Sequence, residues 1–139
     1  MESAAKILVV AALVSLVVSF VLGYILSNSR LSVPEKKQYY LTLAHRNALF
    51  EAFMMLGLVF AVILADLSES IKVIAVLLVV ASAVFQVGSG TVAWLQGTTD
   101  EFAERSLSFY LATINAILVT VGVLILLFGV ARAILDQGF

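Results

Sequence analysis

Apolar positions dominate the chain in four long runs, Ile7–Ser27, Ala48–Ala65, Ile71–Trp94 and Leu107–Ala131, separated by short polar stretches. A helix needs roughly 20 such residues to cross the hydrocarbon core of a bilayer. Polar punctuation extends the predicted helices to about 7–27, 33–65, 71–95 and 99–134. Ser32-Val33-Pro34-Glu35 has capping-box spacing with Pro in the tolerated first turn, and Thr98 with Glu101 repeats that spacing. A helix over 33–65 is roughly 50 Å long at 1.5 Å per residue, so Lys36, Lys37, Tyr39 and Tyr40 are expected among or above the headgroups. The first run is too long for a signal-peptide core and no A-x-A site follows it, so it reads as a retained helix. The predicted fold is all-α: a polytopic membrane protein of one domain, 1–139, built as a four-transmembrane-helix bundle.

Two ribbons of small residues at four-residue spacing stand out, Ala11-Ser15-Ser19-Gly23 in the first helix and Ser108-Ala112-Ala116-Thr120 in the last. Such ribbons let another helix approach closely. Composition supports the membrane reading. The 139 residues are 63% hydrophobic and 12% charged, against about 25% charged in soluble domains. A net charge of −1 and no basic patch give no basis for nucleic-acid binding. The absence of cysteine excludes disulfides and thiolate-ligated cofactors. Arg30, Lys36, Lys37, Arg46 and Arg105 fall on one side of the four spans, and Lys6, Lys72 and Arg132 on the other. The positive-inside rule therefore points the longer loops towards the cytoplasm.

Candidate chemistry gathers in Leu43–Ala65. His45 is the sole histidine, and Glu51 is the one ionisable side chain well inside an apolar run. A charge at that depth costs several kcal/mol unless it faces protein, water or a partner, in the range of about 2.5–3.5 kcal/mol on insertion scales. The two are six residues apart, which on a helix is roughly 120° around the axis and 9 Å along it. They therefore face different neighbours, and in a ring of subunits a shared site could take His45 from one chain and Glu51 from the next. Alternatively Glu51 makes a structural hydrogen bond to Asn47, Gln86 or Asn115. With one histidine and no cysteine, a single chain cannot make a bis-histidine haem. Met54 and Met55 read as packing residues. A haem on His45 alone has an open iron face, suited to binding or activating a small molecule. Further along, Gln86 needs a partner, and Gly88 and Gly90 permit a bend or the close approach of a flat ligand.

From Ala44-His45 through the second helix into the third, with Gly88 and Gly97-Thr98-Thr99-Asp100, the chain resembles the styrene oxide isomerase and hydroxylaminobenzene mutase family of small four-helix membrane proteins. The resemblance covers about two-thirds of the chain. It implies haem b ligated by His45, a homotrimer holding haem between subunits, and a location in the cytoplasmic membrane of a prokaryote. It also implies ferric iron acting as a Lewis acid that turns a small apolar epoxide into an aldehyde. The family has Asn where this chain has Glu51, Asp at Ser82, Asn at Gln86 and Tyr at Gly90. On this basis His45, Gln86, Gly88 and Gly90 are the expected cofactor residues, His45 the metal ligand and Glu51 the catalytic group.

Three functions stay open at this point. One is a haem-dependent isomerase or mutase. Another is a haem-binding sensor or carrier without catalysis. The last is a small proton-coupled exporter that uses Glu51 and no cofactor. A Soret band in the purified protein separates the first two from the third.

Overall fold

The computed structural model describes residues 2–30 and 38–136, with Glu101 described by its backbone alone. The predicted caps and charges at Ser32–Lys37 lie outside these residues. The fold is all-helical: α1 (Ser3–Ser29), α2 (Tyr39–Leu64), α3 (Glu69–Gln96), the single turn α4 (Glu101–Glu104) and α5 (Leu107–Asp136). The four long helices, of 27, 26, 28 and 30 residues, are each long and apolar enough to cross a membrane. Their outward faces carry Phe20, Phe53, Phe60, Val84, Leu124 and Phe128, all more than half exposed. In water such faces would drive aggregation; against lipid they are at home. The protein is an integral membrane four-helix bundle.

Buried positions on each long helix recur at intervals of seven. On α1 they are Ala5, Ala12, Ser19 and Leu26, and on α2 Leu41, Ala48, Met55 and Val62. On α3 Lys72, Val79 and Ala93 fall on one such line, and on α5 Ser108, Gly122 and Gly129 do. This period belongs to the left-handed packing of coiled coils. The principal contacts are α1 with α2, and α3 with both α2 and α5. A Cβ at Gly122 would lie 2.8 Å from the Ala75 carbonyl oxygen, so α5 meets the backbone of α3. The predicted Ser108–Thr120 ribbon is not that seam: Ser108 is buried, but Ala116 and Thr120 are exposed. The seam follows a period of seven, and a four-residue ribbon drifts off it within a few turns.

The helix expected over 99–134 is broken. Gly97, with φ 65°, ends α3, and the amides of Gly97 and Thr98 donate back to Trp94 O and Ala93 O, a Schellman arrangement. Thr98 is thereby consumed by the end of α3. The cap moves to Asp100, whose Oδ1 accepts from the Phe102 and Ala103 amides at 3.0 Å each. Glu104 Oε1 reaches back to Thr99 N, Thr99 Oγ1 and Asp100 N. Arg105 then adopts left-handed φ 45°, ψ 42°, ending α4 after one turn. Phe102 and Phe109 meet edge to face across the break, with ring centroids 5.9 Å apart.

At the opposite end, Lys72 is buried and its Nζ donates to both oxygens of Glu2, at 2.9 and 3.0 Å. Glu69 accepts from the Ala4 amide, tying the first turn of α1 to that of α3. The 65–68 turn docks on α5 through Asp66 N to Gly129 O and through Arg132 Nε to Asp66 Oδ2, 2.9 and 3.0 Å.

Candidate functional site

His45 lies on the side of α2 that faces α1. Its Nδ1 is 2.8 Å from the backbone carbonyl of Ser19, which can only accept, so Nδ1 carries the proton. Ser19 Oγ donates to the His45 carbonyl at 3.2 Å and lies 3.2 Å from Nδ1. That leaves Nε2 as the nitrogen open to a ligand, the arrangement by which second partners orient metal-ligating histidines. Room for the ring comes from α1: a Cβ at Gly23 would sit 3.0 Å from His45 Cε1 and 3.2 Å from Nδ1. Of the predicted small ribbon of α1, Ser19 and Gly23 supply close packing and form the seat of the histidine, while Ala11 and Ser15 line an open groove.

Beside the ring is a cavity of about 310 Å³ lined by Gly23, Leu26, Ser27, Arg30, Thr42 and His45. It opens near the α1–α2 end of the bundle, where Gln38 Nε2 donates to Ser29 O. Arg46, on the exposed side of α2, lies over the Phe50 ring at 5.8 Å. Met54 and Met55 pack in the hydrophobic core, Met55 fully buried.

A second polar group lies deeper. On facing seams of α3 and α5, Asn115 Nδ2 donates to Gln86 Oε1. A Cβ at Gly90 would be 3.1 Å from Ala44 Cβ, which sets the antiparallel register of α2 against α3. One turn further along α2 and one turn back along α3, that register brings Asn47 and Ala48 level with Gln86. Near this depth three covered polar atoms have no hydrogen-bond partner among the described residues: Asn47 Nδ2, Glu51 Oε2 and Asn115 Oδ1. A buried polar atom left without a partner costs about 1–3 kcal/mol, so this layer is where a further polar partner would be most stabilising. Asn115 Nδ2 goes to Gln86 Oε1, while Asn47 Nδ2 and Glu51 Oε2 are without partners, so among the described residues Glu51 Oε2 makes none of the structural bonds expected of it, to Asn47, Gln86 or Asn115.

The structure therefore separates the expected site residues within one chain. His45 faces α1 and the cavity. Glu51, half-buried, projects from the other flank of α2. Gln86 is committed to Asn115, and Gly90 to its crossing with Ala44. Gly88 has open space where a Cβ would stand. Sequence reasoning did not single out Ser19 as a histidine partner, nor Arg30 and Thr42 as cavity residues. Only the spacing of Ser19 and Gly23 hinted at that seat. Among the described residues no group of three or more His, Asp or Glu side chains could hold a bare metal ion. Searches of protein families, curated proteins and solved structures found no match to this chain.

Proposed function

We propose that the protein binds haem b through His45 Nε2 and acts as a membrane isomerase or mutase on small apolar, epoxide-type substrates. The observation that carries the proposal is the contact of His45 Nδ1 with the Ser19 carbonyl, which occupies Nδ1 and leaves Nε2 as the nitrogen available to iron. Haem carries its own equatorial ligands and would need from the protein only an axial nitrogen such as His45 Nε2. Arg30 and Thr42, on the wall of the cavity beside His45, suit the carboxylate edge of a haem. That cavity is too small for a whole macrocycle, so a second copy of the chain has to complete the pocket, and a homotrimer is the proposed assembly. When bound, ferric haem would supply a Lewis acid for an epoxide oxygen. The chain's own work is to hold His45 by its Nδ1, admit the substrate from the bilayer and provide Glu51 from a neighbouring copy for proton movement or pocket polarity.

The test is a visible spectrum of protein purified with ample haem. A Soret band that disappears in His45→Ala, with helical content unchanged, supports haem ligation. Conversion of a small aryl epoxide to its aldehyde by the wild type, altered in Glu51→Gln, supports catalysis. A colourless wild-type protein ends the haem reading, and a red protein inert towards epoxides leaves a carrier or sensor.

A second reading rests on the orphaned atoms of Asn47, Glu51 and Asn115. They could serve a proton-coupled exporter that needs no cofactor. Colourless protein whose proton-driven efflux is lost in Glu51→Gln would favour it.

A further inference from the structure

A groove of about 640 Å³ runs along the lipid-facing side of the bundle between α1 and α3, touching Met55 of α2. Its form is unusual for a helix-packing surface. Val10, Val14 and Val84 stand at the rims, 61%, 58% and 68% exposed, while Ala83, 3% exposed, lies deep within it. Half-buried Ala11 and Ser15 leave space between the valines. A second transmembrane helix packs closely where small residues stand outermost. Here branched side chains stand outermost and small ones lie below, which leaves a channel suited to a narrower, flexible occupant.

Length and charge identify that occupant. From Lys6 to Val18 the α1 wall spans about 18 Å at 1.5 Å per residue. Half of a hydrocarbon core about 30 Å thick is about 15 Å, so the groove serves one leaflet. Lys6 lines its outer end and is exposed, and among the described residues it has no ion-pair partner. Lys72, at the same end of the bundle, is already neutralised by Glu2.

We propose that the groove holds one acyl chain of an anionic phospholipid, with the lipid phosphate paired to Lys6. The lipid seals the α1–α3 flank, where these helices touch less than the neighbouring pairs. This site shares no lining residue with the cavity at His45 and does not depend on haem.

Native mass spectrometry in mild detergent, with phosphatidylglycerol and phosphatidylcholine in competition, tests it. Wild-type protein is expected to retain one phosphatidylglycerol per chain. Lys6→Gln removes the charge without touching the bundle, and its preference for phosphatidylglycerol should fall about fivefold. Ala11→Phe and, separately, Val84→Trp obstruct the groove from opposite walls, and both should lose retained lipid of either kind at unchanged helical content. Equal lipid retention in the wild type and both obstructing variants overturns the proposal, as does an unaltered headgroup preference in Lys6→Gln. Dissociation of an oligomer by the obstructing variants, with no change in bound lipid, would assign the groove to a second copy of the chain and overturn it too.

Discussion

His45 and Ser19 hold each other through both backbone and side chain: the ring Nδ1 meets the Ser19 carbonyl at 2.8 Å, and the Ser19 hydroxyl meets the His45 carbonyl at 3.2 Å. The acceptor for the ring is main chain, so no substitution at position 19 removes it directly. Ser19→Ala should therefore cost only about 0.6 kcal/mol, the usual worth of a side-chain hydrogen bond between membrane helices. Equilibrium unfolding in detergent checks this, and a loss of several kcal/mol would mean the hydroxyl also sets the ring position.

Gly23 is a sharper test of the same seat. A valine there forces the His45 ring away from α1, because even its Cβ would fall 3.0 Å from Cε1. Gly23→Val is expected to destabilise the protein by about 1–3 kcal/mol. It should also weaken any cofactor absorbance that depends on His45. Wild-type stability in that variant would show that α1 and α2 can separate here at no cost.

Gln86 and Asn115 occupy facing seams and bond each other, as a buried polar pair does when it fixes coiled-coil register. Asn115→Ala leaves the Gln86 amide without its partner and should cost about 0.6–1.7 kcal/mol. Cysteine crosslinking along α3 and α5 should then report more than one register. A single unaltered register would show that Gly122 and Gly129 suffice to set it.

The choice of seam on α5 separates two substitutions that introduce the same side chain. Gly122→Leu drives a side chain into the Ala75 carbonyl and Val79, and a loss of about 3 kcal/mol or more is expected. Thr120→Leu, on an exposed face, should stay within about 0.5 kcal/mol. Thermal unfolding of the two variants decides between the seven-residue seam and the four-residue ribbon.

Glu104 accepts from Thr99 Oγ1, Thr99 N and Asp100 N, and these bonds hold its carboxyl below the usual carboxylate range. The folded value is depressed, so the contribution is fully present above the unfolded value and is lost as pH falls through the lower folded one. Hydrogen-exchange protection of the Thr99 and Asp100 amides should decline over that acidic window. In Glu104→Gln it should be weaker at neutral pH and lack that decline.

The sequence by itself determined the number of spans and where each of them ends to within two residues, but not where the first and the last begin. Runs of apolar residues bounded by Asn28, Asp66 and Gly97 leave a helix crossing lipid as the one way to satisfy each backbone. The sequence also determined that His45 and Glu51 diverge, because six residues on a helix leave them roughly 120° apart. It did not determine which side of each helix turns inward. Lipid is as apolar as the bundle core, so valine and leucine occur on both faces and the usual contrast between buried and exposed positions vanishes. Only tertiary packing selected Gly122 over Thr120, gave Gln86 to Asn115, placed the His45 ring on Gly23 and broke the last helix at Arg105. Those choices rest on how closely two backbones approach and on which polar group finds which partner, and both depend on the relative placement of helices far apart in the chain.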